Sequence, residues 1–254
     1  MSAPSFTVQY GAATHRGLVR AGNEDSYLTV PPIFLVADGM GGHARGEAAS
    51  QAVVDSFLDL STRTWLSAED LTAAVERAVR AVQALADVDH APGSTLTGVG
   101  LAEQGGMPCW MVFNVGDSRT HLLRGGELTQ VSVDHSATVK DGSRNVITRA
   151  IGGGLTSPTV DRWLIPAQVG DRVMMCSDGL SGEVTTELVS ATLQATPDPQ
   201  EAARALLEAA LRAGGHDNVT VLVVDCVSLD STARAGAFVD ETASDETVPD
   251  QEWA

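Results

Sequence analysis

The chain has 254 residues, with 33 acidic against 16 basic side chains and a formal net charge of −17. That balance argues against non-specific nucleic-acid binding and against adhesion to an anionic membrane. No apolar run reaches the roughly 20 residues of a membrane span, and "MSAPSFTVQY" lacks the basic and apolar regions of a signal peptide, so a soluble cytoplasmic protein is expected.

Runs that are continuously apolar or alternate with period two predict strands at Thr7 to Thr14, Ser26 to Val30 and Ile33 to Asp38. A first helix is expected from about Gly46 to Leu60. A second opens on "SAED", with Ser67 as N-cap and Asp70 at the capping-box position, and places Leu71, Val75, Ala78, Val79, Val82 and Leu85 on one face. Further strands follow at Ser94 to Ala102, Cys109 to Asp117, His121 to Arg124, Glu127 to Ser132, Arg172 to Ser177 and Val219 to Cys226. Turn signals such as "RGGE" make antiparallel hairpins the dominant connection. A third helix begins at Asp198-Pro199 and stops at Gly214 or Gly215. Many antiparallel strands with a few long helices predict an α+β layered domain rather than a βαβ nucleotide fold. From about Ser228 the chain is acidic and without periodicity, which predicts a folded domain over 1–227 and a disordered tail over 228–254. Cys109, Cys176 and Cys226 each lie in an apolar run without a C-x-x-C pair, as buried reduced thiols do.

In "FLVADGMGGHARGE" an apolar run stops on Asp38 and gives way to glycines. The G-x-G-x-x-G spacing and the P-loop lysine are both absent, and an Asp ahead of the glycines would repel a phosphate. The order suits a hard cation, held by Asp38 with the bare carbonyl of Gly39 beside it. Asp38 shares its context with three other acids: Asp117 after "WMVFNVG", Asp178 after "RVMMCS" and Asp217 before "NVTVLVV". Each stands at the edge of a buried run, where a carboxylate is costly to desolvate unless paired. Any one alone reads as a turn former closing a hairpin; four together read as a shared metal centre. "RAGNEDS" adds Glu24 and Asp25 for a second metal, and Arg20, whose planar fork suits a phosphoryl group.

These pieces, together with "GSTLTGV", "NVGDSR", "GELTQVSVDHS", "RNVITRAIGG", "GDRVMMCSDGLS" and "GGHDNVTVLVV", occur in the order found in the metal-dependent protein phosphatases, the type 2C or PPM serine/threonine phosphatases. The chain resembles bacterial members of that family from about Ala12 to Val224. The resemblance implies a four-layer αββα sandwich, two antiparallel sheets flanked by helices, with metals in a cleft at one edge. It implies two Mn²⁺ or Mg²⁺ ions bridged by Asp38. The Gly39 carbonyl, Asp178 and Asp217 would hold the first ion and Glu24 or Asp25 the second, and Asp117 with Asp178 would form a third, weaker site. Asn218 is expected to orient Asp217. The reaction implied is direct attack of a metal-activated water on phosphoserine or phosphothreonine, with Arg20 on the phosphoryl oxygens and no covalent phosphoenzyme. The partners implied are phosphoproteins and an opposing Ser/Thr kinase, and the protein itself is expected to be a monomer. The alternative from another class is a non-catalytic protein of this fold that binds phosphoproteins.

Two departures from the family pattern stand out. Met40 occupies the place where many eukaryotic relatives carry a histidine, which leaves His43 as a more distant candidate for substrate binding. The segment between Ser136 and Arg144, "ATVKDGS", is much shorter than the flap of many relatives and implies a more open cleft. His15, His90, His121 and His135 show no metal-ligand spacing and are expected to be structural, while His216, next to Asp217, is a candidate to support it. In the tail Thr242 and Thr247 each have an Asp three residues on, a spacing that resembles a phosphothreonine docking motif for forkhead-associated domains.

Overall fold

The computed structural model describes residues 5–42, 44–88, 91–138, 145–154 and 159–230. His43, His90, most of the short flap segment and the tail with Thr242 and Thr247 therefore lie outside the described residues.

The first strands are β1 (Ser5–His15), β2 (Asp25–Val30) and β3 (Ile33–Met40), followed by helix α1 (Ala44–Asp55), a 3-10 turn at Leu58–Thr62 and α2 (Ala68–Gln83). Then come β4 (Gly93–Ser94), β5 (Leu96–Gln104), β6 (Met107–Val115), β7 (Arg119–Arg124) and β8 (Glu127–Gln130). The flap region supplies the short strands β9 (Ser136–Thr138) and β10 (Asn145–Ile147), and β11 (Ile151–Gly152), β12 (Asp161–Pro166) and β13 (Arg172–Cys176) follow. The chain continues through α3 (Asp178–Ser181), α4 (Thr186–Ala195) and α5 (Pro199–Ala213) into β14 (Val219–Asp230). Because β14 pairs with β1 out to Ser5↔Asp230, regular structure runs past the expected boundary at Val227.

Among the described residues, β9 and β10 pair as a separate small hairpin and the other strands form two large antiparallel sheets. One has the order β1-β14-β13-β7-β8; the other runs β11-β4-β3-β5-β6-β12, with β2 added on β3. Side chains alternate across a strand, and here that alternation builds three cores. Phe34, Val36, Val99, Trp110 and Val112 of the larger sheet face Val173, Met175, Leu222 and Val224 of the smaller. The intervening residues Ile33, Leu35 and Ala37 turn outward to Val53, Val75 and Val79 on α1 and α2. Met174, Val221 and Val223 turn the other way, onto Leu206 and Ala210 of α5. These are the four layers, helix, sheet, sheet and helix, that the family resemblance implies.

Helix α2 begins as predicted. Ser67 Oγ accepts from the Asp70 amide at 3.1 Å and Asp70 Oδ2 accepts from the Ser67 amide at 3.2 Å. α5 has Asp198 accepting from the Glu201 amide and Pro199 in its first turn. The "RGGE" turn is a two-residue hairpin between β7 and β8 with Gly125 at φ 59° and Gly126 at φ 87°, which a side chain would strain.

Several expectations need correction. Leu85 lies beyond the end of α2 and is 39% exposed, so the apolar stripe closes at Val82. The predicted first helix breaks after Asp55 into the 3-10 turn. The strand predicted from Ser94 is interrupted at Thr95, whose amide donates to the Asp38 carbonyl at 2.9 Å while Gly93 and Ser94 pair with Met40 and Gly39. β12 is an edge strand in which Pro166 removes a ladder donor, and α4 buries only Val189 and Leu193; neither carries a periodicity strong enough to be read.

Candidate metal centre

β2 and β3 form a hairpin in antiparallel register that sets Asp25 directly opposite Asp38. Two like charges so placed repel, and nothing in the hairpin itself compensates them. The strand is held there from its far side: the Asp38 amide donates to Thr95 Oγ1 at 2.9 Å. Asp178 enters from the other sheet, as the first residue of α3 directly after β13. The preceding Ser177 donates its hydroxyl to Asp25 Oδ2 at 2.7 Å and accepts from the Thr220 amide at 3.0 Å. Asp217 precedes β14 and takes Arg20 Nη2 at 2.5 Å. Asp117 lies in the turn between β6 and β7.

Five of the predicted carboxylates thus feel one another. Asp38 is partly open by surface area, yet its carboxyl is surrounded by protein and held well above the usual range, by burial first and then by the charges of Asp25, Asp178, Asp217 and Asp117. Burial pushes Asp25 up to about 7, against the hydroxyl bonds from Ser177 and Thr220. Asp178 is pushed up to about 6 by burial, Asp117 and Asp217, with a hydrogen bond to Asp38 and the charge of Arg20 opposing. Asp117 is raised chiefly by burial. Among the described residues no three acidic, Cys or His groups form a ready-made ligand cluster; here Asp217 bonds Arg20 and Asp25 bonds Ser177. Yet Asp25 Oδ1 and Asp117 Oδ1 are buried with no hydrogen-bond donor, and an all-carboxylate set with orphaned oxygens fits a hard divalent cation.

The glycines serve close approach. A Cβ on Gly39 would stand 2.1 Å from the Gly46 carbonyl oxygen, and one on Gly46 would stand 1.8 Å from Glu24 Oε2. Glu24 is fixed by its backbone: its carbonyl accepts from the Gly39 amide at 3.1 Å and from Ser50 Oγ at 2.6 Å, and its amide donates to Asn218 Oδ1 at 2.8 Å. Gly46→Ala is therefore expected to push the Glu24 carboxylate aside and raise the Mn²⁺ concentration for half-maximal effect about tenfold, measured by titrating the cation against activity and against thermal shift.

Asn218 orients Asp217 through its backbone, its amide donating to Asp217 Oδ1 at 2.8 Å, while its side chain staples the Arg16 to Glu24 loop by donating to the Arg16 and Gly22 carbonyls. His216 turns away from Asp217 to Glu183 Oε1 at 2.6 Å. Cys176 is buried with its thiol pushed up to about 12, which bars it as a nucleophile. Ser177, Thr95 and Thr220 were missed because a hydroxyl inside an apolar run carries no periodic signal; the one hint was that Ser177 adjoins Asp178. His121 and His135 are both buried, as structural histidines are.

The chain matches the protein phosphatase 2C family over residues 23–214. It is 40% identical to the serine/threonine protein phosphatase PstP of Mycobacterium tuberculosis across 91% of this chain and 47% of that protein, so it spans about half the length of that relative. It is 31% identical to the serine/threonine phosphatase stp of Listeria monocytogenes, across 84% of this chain and 93% of that one. The crystal structure of the catalytic domain of M. tuberculosis PstP in complex with two manganese ions superposes with a TM-score of 0.76 at 37% identity, covering 88% of this chain and 100% of that one.

Proposed function

Because the chain belongs to the protein phosphatase 2C family, we propose that it is a metal-dependent protein serine/threonine phosphatase, a cytoplasmic monomer that opposes a bacterial Ser/Thr kinase. The observation that carries this reading is the convergence of Asp25, Asp38, Asp117, Asp178 and Asp217 on one site, with two orphaned carboxylate oxygens. In this reading residues 1–227, and the end of β14 beyond them, are the catalytic domain, and the acidic tail is an appendage in which Thr242 and Thr247 would dock a forkhead-associated domain once phosphorylated.

Asp38, the Gly39 carbonyl, Asp178 and Asp217 would hold one Mn²⁺ or Mg²⁺, Asp38 with Glu24 or Asp25 a second, and Asp117 with Asp178 a third, weaker one. Bound cations supply positive charge for phosphoryl oxygens and acidify a water near neutral pH. The chain's own contributions are separate. Arg20 stands at the exposed rim, about half open to solvent, and its fork has donors to spare for a phosphoryl oxygen beyond the one given to Asp217. Ser177 cannot serve as nucleophile, since its hydroxyl is committed to Asp25 and Thr220. Met40 offers the leaving oxygen no proton, and His43 is the candidate to assist there.

Hydrolysis of a phosphothreonine peptide by the purified protein, with Mn²⁺ and then with excess chelator, tests the reading. Release of phosphate that needs the cation is expected. A peptide that is bound but never hydrolysed, with either ion, would replace this reading with that of a phosphoprotein-binding module.

A further inference from the structure

The acidic cluster is braced from one side by a histidine that the reaction itself does not use. His135 is 6% exposed. It grips Gly116, the residue before Asp117, at both ends: its amide donates to the Gly116 carbonyl at 2.9 Å, and its Nδ1 accepts from the Gly116 amide at 3.1 Å. An amide donor on Nδ1 leaves the ring proton on Nε2, which faces Asp161 Oδ2 at 2.9 Å. Asp161 opens β12, and its other oxygen accepts from Arg149 Nη1 at 2.8 Å. Arg149 also lies 3.2 Å from Nε2, but a protonated Nε2 has no lone pair to accept from it, so its hydrogen bond belongs to Asp161. The Gly116 turn is closed on its other face by Thr95: at φ +106°, a Cβ there would lie 2.6 Å from Thr95 Cγ2. Thr95 is the same residue that holds the Asp38 amide. The His135 carbonyl also accepts from the Thr148 amide at 2.8 Å, which ties the far stem of the short flap hairpin to the same point.

We infer that His135, with its ring fixed by Asp161 and Arg149, is a positioning residue that sets the Gly116–Asp117 turn against Thr95 and so places the Asp117 carboxylate in the cluster. It touches neither substrate nor reacting atoms. The consequence for turnover rests on the phosphatase reading; the consequence for the turn does not.

Three variants separate the contacts. His135→Ala removes both side-chain contacts, to the Gly116 amide and to Asp161, and leaves the backbone bond to the Gly116 carbonyl. His135→Asn keeps an acceptor where Nδ1 stands, and His135→Gln keeps a donor toward Asp161 but loses the acceptor. Amide hydrogen exchange at Gly116, followed by NMR in metal-free buffer, is expected to quicken more than tenfold in His135→Ala and His135→Gln and to stay within about threefold of the parent in His135→Asn. With Mn²⁺ the Ala and Gln variants are expected to lose about 10- to 100-fold in kcat, with KM for the phosphopeptide within about twofold, and Asn is expected to recover most of the loss.

The inference is overturned if His135→Ala exchanges and turns over like the parent, or if His135→Asn is no better than His135→Ala. Should the Ala variant not fold, His135→Gln carries the test, since it keeps a donor toward Asp161 and loses only the acceptor for the Gly116 amide; parent-like exchange in His135→Gln would overturn the inference. A parent protein that hydrolyses no phosphopeptide would defeat the phosphatase reading, while the exchange measurement would still decide whether His135 sets the turn.

Discussion

Asp38→Asn is expected to lower the turnover of a phosphothreonine peptide by about a thousandfold while making the chelated protein more stable. The loss follows from Asp38's central place: its buried carboxyl lies within reach of the charges of Asp25, Asp178, Asp217 and Asp117 together. A cation held by that set supplies several kcal/mol of charge stabilisation, and about 4 kcal/mol corresponds to three powers of ten at roughly 1.4 kcal/mol each. The gain in stability has the opposite origin. Without a cation the folded protein must bury a carboxyl among like charges, whereas an amide of the same shape carries no charge and can still bond Asp178. A gain of about 1–3 kcal/mol is expected, or roughly 2–4 °C in Tm per kcal/mol for a domain of this size. Single-turnover kinetics with saturating Mn²⁺ and calorimetry in chelator check the two halves. Activity within tenfold of the parent, or a lower Tm in chelator, would remove Asp38 from the centre of the cluster.

The second large effect is on the pH dependence of stability without metal. Asp25 rises to about 7 and Asp178 to about 6 in the folded protein, from about 3.9 in an unfolded chain. A raised carboxyl contributes stability that is fully present below the unfolded value and is lost as pH climbs through the folded one. Both groups therefore destabilise the fold between about pH 4 and pH 7, and Asp38, raised as well, adds to them. His121 works against this. Its ring is buried beside Arg119 with Nδ1 unpaired, and its pKa falls to about 4 from 6.5. Its stability is present above 6.5 and is lost as pH falls toward 4. Each titrating group changes stability by about 1.4 kcal/mol per pH unit where its folded and unfolded charges differ, so two or three carboxyls outweigh one imidazole. In chelator the protein is expected to lose about 2 kcal/mol or more between pH 5.5 and 7.5. Added Mn²⁺ should restore it at pH 7.5 by mass action. His121→Gln should steepen the fall by removing the opposing slope. Denaturant midpoints at the two pH values, with and without the cation, decide it; equal midpoints in chelator would mean that these carboxyls carry no burial penalty.

Both effects arise from groups whose burial was only partly legible in the chain. α2 and α5 could be read because a cap, an apolar stripe and a stop signal all lie within one short segment, and such signals are local. β3, β6, β13 and β14 could be read because strands covered on both faces are continuously apolar. β12 and α4 could not, since an edge strand ending in proline and a helix with two buried side chains carry little pattern.

The sequence by itself determined which side chains the site has to work with: an acid beside each buried run, Arg20 in a polar loop, and glycines where backbones must touch. It also pointed to an α+β layered domain, because alternating and continuous apolar runs mark half-buried and fully buried strands; the four-layer order was implied by the family resemblance, and the pairing of the strands was decided by the tertiary structure. Only the tertiary structure decided who meets whom. Asp25 faces Asp38 through hairpin register, Arg20 reaches Asp217 across 197 residues, Ser177 bonds the Asp25 carboxylate, Thr95 holds the Asp38 amide and His135 holds the Gly116 amide next to Asp117. The reason is physical: apolar burial is written in periodicity, whereas a buried hydrogen bond depends on two strands, distant in the chain, arriving at one register.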